Sequence, residues 1–142
     1  MATKMNGESD GEELLLQAEQ IRKYLPVEDS LLTRLFGDQR HVKAVDRVDI
    51  AVGRQEIMGL VGESGCGKTT LARVLSRLLD PTEGRIEFEG QDITNISGKE
   101  LQNLRKDIQY IFQDPSSALN PRKTAREIVG KPLELYDIAQ GE

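Results

Sequence analysis

Eight residues constrain this chain more than any others: Gly62-Glu63-Ser64-Gly65-Cys66-Gly67-Lys68-Thr69. They fit the pattern GxxxxGK[ST], and they stand where its mechanics require. An apolar run from Ile57 to Val61 precedes them, with the makeup of a strand buried on both faces. Leu71, Val74, Leu75, Leu78 and Leu79 follow, at the spacing of an amphipathic helix that Asp80-Pro81 stops. Glycines in such a loop allow close backbone approach and conformations that a side chain would block. Successive N–H groups then face inward and, with the partial positive charge of a helix start, cradle phosphate oxygens. In this arrangement Lys68 places a full charge at the β- and γ-phosphates of a nucleoside triphosphate. The Thr69 hydroxyl becomes a ligand for Mg2+, and Thr70 completes the binding set.

Composition excludes several other functions. The chain has 142 residues, enough for one domain of ordinary size. Its apolar runs are four or five residues long, far short of the roughly 20 needed to span a bilayer. The N-terminus is polar and acidic, without the basic-then-apolar order of a secretory signal, so a cytoplasmic location is expected. A formal net charge of −5 argues against a nucleic-acid surface built on bulk charge, and no nucleic-acid partner is expected. One cysteine, Cys66, cannot form an intrachain disulfide or a cysteine-based zinc site, and one histidine, His41, adds no metal cluster.

Residues 1–12 read as a disordered acidic tail. Leu14 to Val27 is ambiguous: Leu14, Ala18 and Ile21 suit a helix, whereas Leu16, Ala18 and the stop at Pro26 suit a strand. Glu28 to Arg40 looks like a surface insertion. Val42 to Val52 alternates as a strand, with Val48, Ile50 and Val52 facing one way. A turn at Gly53 to Glu56 follows. Strands are expected at Arg85 to Phe88 and Asp107 to Phe112, with a turn at Glu89 to Asp92. Ser97 with Glu100, and Thr124 with Glu127, are spaced as capping boxes that open helices.

The stretches from Gly62 to Thr94 and from Tyr110 to Arg122 closely resemble the ATPases of ABC transporters. Phe112-Gln113-Asp114-Pro115, with Leu119-Asn120-Pro121-Arg122 behind it, looks most like the dipeptide and oligopeptide import subgroup, which also includes nickel importers. The resemblance implies an α/β fold: a P-loop NTPase core with an antiparallel β subdomain. Residues 13–142 would form the N-terminal part of the nucleotide-binding domain, ending before the signature motif and the Walker B strand. It implies ATP and Mg2+ as cofactors, with Gln113 as the Q-loop residue that contacts the metal or the attacking water. By the same resemblance, Tyr24 is the aromatic residue that stacks on adenine, with His41 as its competitor for that place. The implied partners are integral-membrane permease subunits, a second ATP-binding subunit and, indirectly, an extracytoplasmic solute-binding protein. The implied location is the cytoplasmic face of the cell membrane. A soluble ABC ATPase outside transport is the competing reading.

Overall fold

The computed structural model describes residues 13–26, 41–114, 118–136 and 138. The acidic tail and the Glu28–Arg40 insertion lie outside the described residues. The chain divides into two compact units, Met1–Ile96 and Ser97–Glu142.

The first unit is built on a four-stranded antiparallel sheet. Its strands are β1 (Leu14–Pro26), β2 (His41–Gly53), β3 (Glu83–Phe88) and β4 (Gln91–Asp92), in the order β2-β1-β3-β4. The ambiguous segment is therefore a strand. Its helix-like spacing has a structural cause: Ala18 and Ile21 are both buried although three residues apart. Gln20 between them has φ 50°, and the register of β1 on β2 shifts there. This bulge takes up one residue and returns Ile21 to the inner face. The Asp49 carboxylate holds the bulge in place, accepting from the Gln20 backbone N–H at 2.6 Å and from its side-chain amide at 3.1 and 3.0 Å. Strand β2 repeats the device, with Val45 and Ile50 buried, Val48 half-buried, and Arg47 at φ 56°. Opposite the β1 bulge lies Gly84 at φ 104°, where a Cβ would come within 2.7 Å of the Glu19 and Gln20 carbonyl oxygens. Only glycine fits there.

Glu89 and Gly90 join β3 to β4 with φ 49° and 76°. Two consecutive positive φ values suit the right-handed twist of a two-residue hairpin. Ile21, Ile86 and Ile93 are fully buried in this unit together with Val74 of α1 (Lys68–Leu75), the helix behind the glycine-rich loop.

Two expectations fail in this unit. Ile57 to Val61 forms no strand, and Ile57 and Val61 are 98% and 87% exposed. A strand apolar on both faces needs ladder partners and covering layers, and no described strand pairs with it. Helix α1 also stops at Leu75, not at Leu79. Arg77 turns left-handed at φ 54°, and the N–H groups of Leu78 and Leu79 bond back to the Arg73 carbonyl at 2.9 and 3.1 Å.

Arg77 is itself buried, at 4% exposure. Its guanidinium donates to the Ile93 carbonyl at 2.8 Å, to the Ile96 carbonyl at 3.2 Å and to Asp80 at 2.7 Å. The end of α1 is thus fastened to the segment that follows β4.

The second unit holds α2 (Gly98–Asp107) and α3 (Ala125–Leu135). The Ser97–Glu100 box does not form: Ser97 is the N-cap but its side chain makes no capping bond. Gly98, at φ 55°, redirects the chain at the first helical position. The Thr124–Glu127 box does form, with Glu127 N–H donating to Thr124 Oγ1 at 3.3 Å and Thr124 N–H donating to Glu127 Oε2 at 2.7 Å. Hydrogen bonds from the Thr124 backbone and hydroxyl hold the Glu127 carboxyl below the ordinary glutamate range. A depressed pKa means that the box contributes fully above the ordinary glutamate pKa and is lost as pH falls through the lowered value. Protection factors of the amides at Ala125–Ile128, with the intrinsic pH dependence of exchange divided out, should therefore fall on acidification only after exposed glutamates have protonated. A fall already at the ordinary glutamate pKa would refute this coupling.

Asp107 to Phe112 is the other expected strand that is absent. Asp107 closes α2, and 108–112 carry no ladder. Ile111 is 89% exposed, while Tyr110 and Phe112 pack edge to face at 5.0 Å between ring centroids.

Candidate functional site

The glycine-rich loop enters from 57–61 and runs into α1. Gly65 and Gly67 adopt φ 81° and 94°, the left-handed conformation that turns successive N–H groups toward one side. Gly67 is the N-cap of α1 and offers no side-chain oxygen, so it caps none of the first-turn N–H groups of Lys68, Thr69 and Thr70. A Cβ on Gly67 would collide with the backbone carbonyl of Ala44 in β2. The sheet therefore packs directly against the point where loop becomes helix, which accounts for glycine there on steric grounds as well as conformational ones.

Lys68 lies across the loop. Its Nζ donates to the Gly62 carbonyl at 2.7 Å and to the Glu63 carbonyl at 2.6 Å, and it approaches Cys66 Sγ at 3.5 Å. Cys66 N–H donates to the Glu63 carbonyl at 3.3 Å, closing the turn through Ser64 and Gly65. The Cys66 thiol is exposed, and a Cβ on Gly62 would stand 2.8 Å from its sulfur. The loop is thus a ring of backbone with one ammonium group held at its mouth. Left-handed glycines, uncapped first-turn amides and a fixed cation together form an anion cradle. The residues present fit a phosphate group.

Tyr24 is half-buried near the end of β1. Its N–H donates to Thr82 Oγ1 at 3.0 Å, and it pairs across the sheet with Lys43. Lys43 directly precedes Ala44, whose carbonyl meets Gly67, so two adjacent residues of β2 relate the tyrosine to the loop. Gln113 belongs to the second unit and stands exposed in a bend with Asp114.

The sequence pattern did not single out Ala44 or Arg77. Ala44 acts through its backbone, which leaves no mark on side-chain pattern. Arg77 lies between apolar positions of the helical repeat, where a long cation ordinarily reads as solvated.

Comparison with known proteins places these observations. Residues 45–140 match the family described as ABC transporter. Over 128 residues the chain is 46% identical to the oligopeptide transport ATP-binding protein AppF of Bacillus subtilis (strain 168), covering 89% of this chain and 38% of that protein. It is 49% identical over 102 residues to the putative oligopeptide transport ATP-binding protein YkfD of the same organism, covering 72% of this chain and 31% of that one. The chain thus spans less than half the length of these relatives. Its backbone is similar to the dimeric structure of MJ0796, a bacterial ABC transporter cassette. The TM-score is 0.69 and the identity 24%, over 89% of this chain and 49% of that one; this likeness bears on the fold alone. The same cassette is also known in a post-hydrolysis state bound to ADP and Pi.

Proposed function

The chain belongs to the ABC transporter family, and from that premise we propose that it is part of an ATPase subunit that powers import of peptides. The observation that carries the reading is the Lys68 ammonium, held at the mouth of the glycine-rich loop by the carbonyls of Gly62 and Glu63. The loop from Gly62 to Thr70 binds the phosphates of ATP, and Tyr24 receives the adenine ring.

Thr69 would hold Mg2+, which neutralises phosphate charge when bound. Among the described residues no cluster of three or more His, Cys, Asp or Glu is placed to hold a metal. A cation here would therefore take most of its ligands from phosphate oxygens and water, as Mg2+ commonly does. Lys68 stabilises charge on the transferring phosphoryl group, and Gln113 orients the attacking water. These are contributions of position and field, the means by which phosphoryl transfer is catalysed.

Among the described residues no helix is long and apolar enough to cross a membrane. We place the subunit at the cytoplasmic face of the membrane, against permease subunits and a second ATP-binding subunit, with solute delivered by an extracytoplasmic binding protein. Peptides are the proposed cargo because the relatives above are named for oligopeptide transport.

Reconstitution of the full-length protein with its permease in vesicles tests the cargo. ATP-dependent accumulation of a dipeptide or oligopeptide is expected. Accumulation of nickel in place of peptide would overturn the cargo, and the absence of any ATP-dependent uptake would overturn the transport role. Gln113→Ala should lower kcat about tenfold or more while leaving the Kd for ATP within about twofold, because its contacts develop in the transition state. A parallel loss of affinity would refute that role.

A further inference from the structure

We propose that Lys43 is a positioning residue for the nucleotide base: its ammonium lies over one face of the Tyr24 ring, holds the ring in place and leaves the opposite face for adenine. This rests on the reading of Tyr24 given above and adds to it a residue with which that reading did not deal.

Three contacts carry the inference. Lys43 Nζ stands 5.9 Å from the Tyr24 ring centroid, within reach of a cation–π attraction. The two residues are cross-strand partners, so backbone register as well as side-chain attraction brings them together. Lys43 Nζ also pairs with Asp46 at 3.5 Å, which restricts where the long side chain can reach.

The backbone supplies the link to the site. Tyr24 is fixed by its N–H bond to Thr82 Oγ1, and Ala44, next to Lys43, sets its carbonyl against Gly67. One short segment of β2 therefore touches both the glycine at the helix start and the aromatic ring. A ring with a cation over one face has only the other available for stacking, and a ring that is already oriented loses less freedom when a base arrives.

The test separates base recognition from phosphate recognition in the full-length protein. Affinities for ATP and for inorganic tripolyphosphate are measured for the parent protein and for Lys43→Ala, Lys43→Arg, Tyr24→Leu and the Lys43→Ala/Tyr24→Leu pair. Lys43→Ala should weaken ATP binding about two- to fivefold and leave tripolyphosphate unchanged. Lys43→Arg should restore ATP affinity, since guanidinium also lies well over a ring. In the Tyr24→Leu background, Lys43→Ala should have no further effect.

An equal loss for both ligands would show that Lys43 acts on the phosphates and would overturn the inference. So would a loss of ATP affinity for Tyr24→Leu with none for Lys43→Ala, which would leave the adenine reading intact. Unchanged ATP affinity for Tyr24→Leu would overturn both.

Discussion

Replacement of Lys68 by alanine is expected to lower kcat/KM for ATP hydrolysis by about a hundredfold or more in the full-length protein. The expectation follows from where the ammonium lies. Nζ is tied to two loop carbonyls and so stands at the mouth of the cradle before any phosphate arrives. Its charge is positioned in advance, within the loop itself. Alanine removes the charge and also the two bonds that draw the first residues of the loop together. Arginine should not rescue, because its planar fork cannot replace a compact ammonium between the carbonyls of Gly62 and Glu63. Steady-state kinetics with equilibrium binding provide the check. Hydrolysis within threefold of the parent would refute the assignment of the loop.

The second large effect concerns stability. Arg77→Ala should destabilise the folded protein by about 2–4 kcal/mol. Which contacts matter can be decided from exposure. Asp80 is 80% exposed, so its ion pair with Arg77 is screened and contributes little. The bonds to the Ile93 and Ile96 carbonyls are different, because they come from a side chain only 3% exposed. Truncation leaves a cavity and strips two acceptors of their donor. Backbone conformation adds a finer prediction. At φ 54° glycine is relieved of a penalty of about 1 kcal/mol that alanine retains. Stability should therefore fall in the order arginine, glycine, alanine, as read by denaturant unfolding. Glycine less stable than alanine would contradict the left-handed geometry, and alanine matching the parent would show the buried bonds to be dispensable.

The path of the glycine-rich loop was legible in the sequence because its geometry is local: three glycines, a lysine and a threonine define it with little help from elsewhere. The antiparallel strands were legible where side chains alternate, as from Val48 to Val52, and ambiguous where a bulge breaks the alternation, as from Ala18 to Ile21. Three-residue spacing suits a helix, and in β1 one left-handed residue produces it within a strand. The Thr124 box succeeded and the Ser97 box failed although both have the required spacing. The two differ in backbone at the cap: Ser97 stands at φ −148° before a left-handed Gly98, whereas Thr124 stands at φ −71°. Ile57 to Val61 failed for a non-local reason. An apolar run has the capacity to be a buried strand, but ladder partners make it one, and none of the described strands supplies them.

The paired bulges of β1 and β2 have a consequence for how this part of the molecule can diverge. Strands joined by a tight turn inherit their alignment from that turn, so adding a residue to the turn shifts every cross-strand pair. Here the alignment is written into the strands themselves, through Gln20 locked on Asp49 and Gly84 fitted behind it. The pairing of Tyr24 with Lys43 therefore does not depend on the length of the connection between the two strands. Selection can lengthen, shorten or rewrite that connection, and graft new recognition onto it, while the aromatic ring keeps its place opposite Lys43.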